Sequence, residues 1–499
     1  MPESAKPFVL EEATVDSIHA AFRDGTLTCA SLVQSCLDRI EAYDRRGPAL
    51  QALITVNPKA LEQAAALDAQ YRKDPEGAGP LHGIPVLLKD NFHTADMPTT
   101  AGCVALKDWR PEADAFVVAK MREAGALILG KANMTEFARG GTSISSLGGQ
   151  VRNPYDLTRT PGGSSGGTGA AIAASFAVLG TGSDTGQSIR SPASACSLVG
   201  VRPTRGLVSR GGIIPNSFTQ DEAGPIARTV RDAALLLDVM AGYDPADPVT
   251  AFGVGKPPAS YAAALRPDAL HGARIGVVNN LFGKEPRHAE VNRVMEQVIR
   301  TMEGAGATLV RFDLPEYDKL VSIISTDRFE ARPAFDEYFA QFGGRAPVKS
   351  FRQLVEAKAA SPGIQQIMEA EIAIEDGLNE PEYCKGMLAR DKLRMAVAAT
   401  MAQLRLDAIM YPLQRVLVAP TGASEQPERN GALSHGTGFP AVTFPGGFST
   451  PSESAPIGVP VGAEILGRDF SEALLLSLAY SFEQVAKVRK PPVSTPPLR

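Results

Sequence analysis

Short apolar runs alternate with helical-period segments from residue 14 to residue 487, and that alternation leaves few architectures open. ALITVN (52–57), IPVLLK (84–89), ALILG (126–130), ARIGVV (273–278), ATLVRFDL (307–314), LDAIMYP (406–412), AVTFPGGF (441–448) and VPVGAEILG (459–467) have the length and make-up of strands. Amphipathic segments separate them. Two fall within 14–45, where Leu32, Val33, Cys36, Leu37 and Ile40 recur at helical spacing behind Thr28 as N-cap. Others cover 114–123, about 287–304 and about 470–487. The pattern predicts an α/β fold: a single large mixed, mostly parallel β-sheet core flanked by helices. No internal repeat interrupts it. GKPPAS (255–260) and GASEQPERNGA (422–432) read as surface loops, and RKPPVSTPPLR (489–499) as a flexible tail.

With 499 residues, 44% hydrophobic and 21% charged, the chain has the composition of a globular protein and not of a disordered one. A net charge of −5 without long runs of one sign argues against nucleic acid or an anionic membrane as partner. The five cysteines (Cys29, Cys36, Cys103, Cys196, Cys384) are scattered, in no CxxC or Cys/His spacing, so neither disulfides nor zinc is expected. The acidic start MPESAKPFVLEE lacks a signal-peptide layout. The longest apolar stretch, 170–180, is too short for a bilayer. A cytoplasmic protein is expected, acting as a monomer or homodimer.

Two glycine-rich loops carry the candidate chemistry. TPGGSSGGTGAA (160–171) holds Ser164 and Ser165, and GTGSDTGQSIRSPAS (180–194) holds Ser188. Gly162 to Gly167 has Walker spacing, but Thr168 follows where a lysine is required, so a nucleotide cradle is not expected. An apolar segment that can run as helix then strand separates the loops and can fold them side by side. A serine nucleophile needs a base. None of the six histidines lies in a triad motif. Lys89 ends the apolar run IPVLL, and burial of its stem would favour the neutral amine. Taken alone, a lysine at a strand end more often reaches water.

LHGIPVLLKDNF (81–92), GGSSGG (162–167), the stretch 182–215 running from GSDTGQSIRSPAS to GVRPTRGLVSRGGIIP, FPAVTFPGGF (439–448) and PIGVPVGAEILGRDFSEALLL (456–476) together resemble the amidase signature family. The match follows the family order over nearly the whole chain and is weakest at about 255–430, where such enzymes diverge to suit their substrates. The resemblance implies one domain over 1–488: a helical N-terminal part (about 10–75), a signature core (about 80–250), a variable substrate-determining region (about 255–430) and C-terminal strands and helix (435–488).

The resemblance also implies a Ser–cis-Ser–Lys triad, with Lys89 as base, Ser164 as bridging serine after a cis Gly163–Ser164 peptide, and Ser188 as nucleophile. The oxyanion would be held by the backbone of Thr185, Gly186, Gln187 and Ser188. Phe137, Ala138, Gly162, Gly163 and Gln187 would contact substrate, and Asp184, Arg190 and Ser165 would support the turn. No metal or organic cofactor is implied. One departure stands out: Gln187 occupies a position where the family usually has glycine. Either its φ is ordinary and the side chain merely packs, or its amide reaches the substrate. The implied activity is hydrolysis of small, largely hydrophobic amides or carbamates (urethanes) with water. The alternative is an amidotransferase A subunit in a tRNA-dependent complex.

Overall fold

The computed structural model describes residues 8–498. Its strands are, in chain order, β1 (Leu53–Val56), β2 (Pro85–Lys89), β3 (Leu127–Ala132), β4 (Ile144–Ser145), β5 (Gly149–Gln150), β6 (Leu179–Asp184), β7 (Val199–Arg202), β8 (Glu222–Ala227), β9 (Arg274–Val278), β10 (Thr308–Phe312), β11 (Ala408–Pro412), β12 (Ala441–Phe448) and β13 (Pro460–Leu466). Eleven make one sheet in the order β1-β3-β2-β6-β8-β7-β12-β13-β11-β9-β10, while β4 and β5 form a small hairpin. Every residue of β2, β3, β6, β7 and β8 is buried, as helices on both faces of a sheet require.

The sheet is mixed, as expected, but parallel pairs are the minority. Four pairings are parallel (β2 with β3 and β6, β9 with β10 and β11). Six are antiparallel. The reason is local. The β9–β10 pair spans the helix Ala289–Gly304, a crossover that enforces parallel pairing. In the centre β7 and β8 pair antiparallel with each other and with their outer neighbours β12 and β6, and the sequence patterns had shown neither β7 nor β8.

A main core of aliphatic side chains lines the sheet. A second, aromatic cluster joins Trp109, Met134 and Phe137 to Phe335, Phe339, Phe351 and Met368. It seats three helices, Asp327–Ala340, Phe351–Glu356 and Pro362–Ile372, against the segments 101–109 and 134–138 that follow β2 and β3. Two expected surface features differ. The 422–432 loop buries Gln426 and Asn430, because their amides tie Ala419, Leu281 and Pro412 together. The expected tail is anchored: Arg39 donates to the Thr495 carbonyl at 2.8 Å, and Arg489 donates to Glu12 at 2.7 Å. No described helix is long and apolar enough to cross a membrane.

Candidate active site

β2 and β6 run parallel and in contact, with Val86 opposite Leu179 and Leu87 opposite Gly180, so their C-terminal ends set Lys89 beside Ser183. Lys89 is fully buried. Its Nζ lies 2.7 Å from Ser164 Oγ and donates to the Ser183 carbonyl at 3.0 Å and to Ser183 Oγ at 2.8 Å. Asn91 Nδ2 donates to the same Ser183 hydroxyl at 3.0 Å. Burial pushes the Lys89 pKa down to about 7, against the smaller upward pull of Asp184 and Asp221. A neutral amine has two hydrogens and one lone pair. With both hydrogens taken by Ser183, the lone pair faces the Ser164 hydroxyl.

The glycine loop permits that approach. Gly162 has φ +74°, and a Cβ there would stand 2.8 Å from Ser191 Oγ and 2.9 Å from the Ser191 carbonyl oxygen. The next peptide, Gly163–Ser164, is cis. Gly167 then opens the helix Gly166–Ala173 so close to its neighbours that a Cβ would meet the Asn133 and Ala52 carbonyl oxygens at 2.2 and 2.5 Å. The Ser165 N–H donates to the Ser188 carbonyl at 3.2 Å and stitches the two loops together. Among the described residues no hydrogen bond joins Ser164 directly to Ser188.

The turn after β6 is built to present N–H groups. Each carbonyl from Asp184 to Gln187 has a donor of its own. Arg202 holds that of Asp184, Gln220 Nε2 that of Thr185 at 3.5 Å, Arg190 Nη2 that of Gly186 at 2.5 Å, and the Ser191 N–H that of Gln187 at 2.7 Å. In a trans peptide the following N–H points the opposite way. The N–H groups of Thr185, Gly186, Gln187 and Ser188 are thus turned away from these donors, and among the described residues they have no acceptor. Arg190 is locked in turn. Its Nε donates to Asp184 Oδ2 at 3.0 Å and its Nη1 to Glu464 Oε1 at 2.8 Å. Burial alone would raise the Asp184 pKa, but Arg190 and Arg202 outweigh it and hold the carboxyl well below its usual range.

Ser188, Gln187, Gly186 and Thr185 line a cavity of about 790 Å³ that also exposes Ala138, Arg139 and, from the overlying helix Pro362–Ile372, Ile364 and Glu371. Arg139 pairs with Glu371 and lies over the rings of Phe335 and Phe351 at 5.4 and 5.7 Å. The expected substrate residues thus divide. Ala138 and Gln187 are wall residues. Phe137 is not: it packs behind the wall, its ring 5.6 Å from that of Phe335, because the backbone takes φ +51° there and +59° at Ala138, turning the ring into the aromatic cluster. Gly162 and Gly163 also lie behind the wall, under Ser191 and Gly141. Gln187 has no positive φ, so its backbone is unstrained in the glycine's place. Sequence reasoning missed Asn91, Ser183 and Glu464, which fall inside the quoted motifs, and Arg139, Glu371 and His435, which no local pattern marks.

A neutral amine on one hydroxyl, beside a second hydroxyl in a turn of free N–H groups, is equipped for acyl transfer. Fold and site together are those of an amidase-signature enzyme acting on C–N bonds. The chain belongs to the amidase family, whose sequence profile matches residues 31–476. It is 38% identical over 469 residues to the A subunit of the glutamyl-tRNA(Gln) amidotransferase of Moorella thermoacetica, covering 90% of this chain and 91% of that protein. The solved peptide amidase of Stenotrophomonas maltophilia is 38% identical and superposes with a TM-score of 0.85, over 96% of this chain and 98% of its own. The A subunit of the same amidotransferase from Thermotoga maritima, 29% identical, superposes at 0.73 over 95% of each chain.

Proposed function

We propose that the chain hydrolyses small carboxamides, and carbamates through the same carbonyl, by a Ser188 acyl-enzyme. Neutral Lys89 takes the Ser164 proton while Ser164 takes that of Ser188, and Ser188 Oγ forms the bond to the substrate carbonyl carbon. The developing oxyanion is held by the N–H groups of the 185–188 turn, each worth about 2.7–4 kcal/mol in the transition state. Lys89 then returns its proton through Ser164 to the departing nitrogen, the C–N bond breaks, and water repeats the sequence to release the acid. The observation that carries this reading is the fully buried Lys89 amine 2.7 Å from Ser164 Oγ. The five unpaired cysteines support a reducing, cytoplasmic setting. The test is a panel of amides, anilides and carbamates assayed with wild type and Ser188→Ala. Turnover of some members by the purified wild type alone supports the reading, and equal rates for the two proteins refute it.

A second reading, an amidotransferase A subunit that works on a tRNA-dependent substrate with partner subunits, is favoured by the curated relatives bearing that name. The higher TM-score to the peptide amidase favours the stand-alone enzyme. Glutaminase activity that appears only with a copurifying subunit would decide for the second reading.

A further inference from the structure

Two buried polar side chains in the lining of the catalytic cavity have no protein partner. Gln187, the residue before Ser188, is only 2% exposed, yet neither Oε1 nor Nε2 makes a hydrogen bond. Its niche is made by a glycine: a Cβ on Gly431 would stand 2.7 Å from Gln187 Cβ and 3.0 Å from Oε1. Four residues on, in the helix Ala432–Thr437, His435 lines the same cavity with Nδ1 unpartnered. Burial, reinforced by Arg202, Arg390 and Arg190, keeps that imidazole neutral. A buried polar atom left unpaired is unfavourable, and three of them stand here in the wall of the cavity that Ser188 lines. Arg139 and Glu371, in the same lining, are joined to each other through Nη1 and Oε1, while Arg139 Nε and Nη2 and Glu371 Oε2 have no partner.

We propose that Gln187 and His435 form a subsite for an uncharged hydrogen-bonding group on the acyl side of the substrate. The group that fits is a second amide, its carbonyl accepting from Gln187 Nε2 and its N–H donating to Gln187 Oε1 or to an imidazole nitrogen. The substrate class is then N-acylated amino-acid amides and peptide amides. A free α-ammonium would meet a neutral imidazole backed by three arginines. This inference rests on the amide hydrolysis proposed above.

The experiment compares N-acetyl-L-phenylalaninamide, L-phenylalaninamide and 3-phenylpropanamide, which share the scissile amide and the ring. The wild type should favour the first over either other by roughly tenfold or more in kcat/KM, the scale of a satisfied buried hydrogen bond. In both Gln187→Leu and Gln187→Gly, checked for native melting, the preference should fall below about threefold. Calorimetric titration of Ser188→Ala, with and without Gln187→Leu, should give the same order of affinities and the same collapse. A wild-type preference under threefold in both kinetics and binding overturns the subsite, as does a preference that survives both variants. Binding preference without any hydrolysis leaves the subsite standing and sinks the amidase reading instead.

Discussion

Lys89 shows how one residue type changes its chemistry with burial. Desolvation disfavours the charged amine, so in the folded protein the proton leaves near pH 7, not near 10.5. Only the neutral form can accept a proton, so kcat/KM should climb through neutral pH and level off above about 8. A profile flat from pH 5 to 9 would remove lysine from the base role. Ser183→Ala deletes an acceptor that favours the charged form, so the acid limb should move to lower pH. The same shift has a sign in stability. Between about pH 7 and 10 the unfolded chain holds the lysine proton and the folded chain does not, so wild-type stability gains up to about 1.4 kcal/mol per pH unit as pH rises. Lys89→Met lacks that slope, and its urea stability relative to wild type should decline between pH 7 and 9. At this scale the sequence is legible where chemistry is local. The end of an apolar run marks Lys89, and glycine density marks the two serine loops. It is silent where partners meet only in space, as with Arg139 and Glu371, 232 residues apart.

Among the elements, the helix Pro362–Ile372 roofs the cavity, and it and the two helices packed beside it, Asp327–Ala340 and Phe351–Glu356, form the least legible part of the chain. Their inward faces are not purely apolar. Glu330 is buried in Asp327–Ala340 and accepts from Ser217 Oγ, Thr219 N and Thr219 Oγ1, so a carboxylate interrupts the stripe that periodicity would detect. Pro333 lies within the same helix. The central strands are readable as continuous apolar runs because both their faces are buried, and the outer helices by a single apolar stripe, while β7 and β8 fall in a Gly/Pro-rich stretch without clear alternation. The roof holds through the aromatic cluster, in which Phe335 contacts Phe137, Phe339 and Phe351 at centroid distances of 5.6, 6.1 and 5.1 Å. Phe335→Ala should cost about 3–5 kcal/mol, read as a lower urea midpoint. It also frees Arg139 from one of its two rings, so KM should rise more than kcat falls.

Across the whole molecule, one sheet draws on both halves of the chain, because β12 pairs with β7 on one side and with β13 on the other. The two ends of the chain close over the sheet as well. Arg39, in the helix Cys29–Arg39, donates to the carbonyls of Ala174, Thr495 and Pro496. Arg489 joins Glu12 to the Ser197 carbonyl, and Ser494 Oγ donates to Pro154 at 2.6 Å. Ser197 and Pro154 flank the segments that carry Ser188 and Ser164, so the C-terminal residues brace the two serine loops from behind. Deleting 489–499 removes Arg489 and two of the carbonyls that hold Arg39, so Glu12 loses its ion-pair partner while Arg39 keeps only Glu11 and Ala174. Losing these hydrogen bonds to charged groups should cost about 1.5–3 kcal/mol. The truncated protein should therefore unfold at a lower urea midpoint, still in one cooperative transition. Since the brace touches the loops and not the cavity wall, kcat should suffer more than KM. A truncation that melts like the full chain and keeps its kcat would show that the braced loops stand without it.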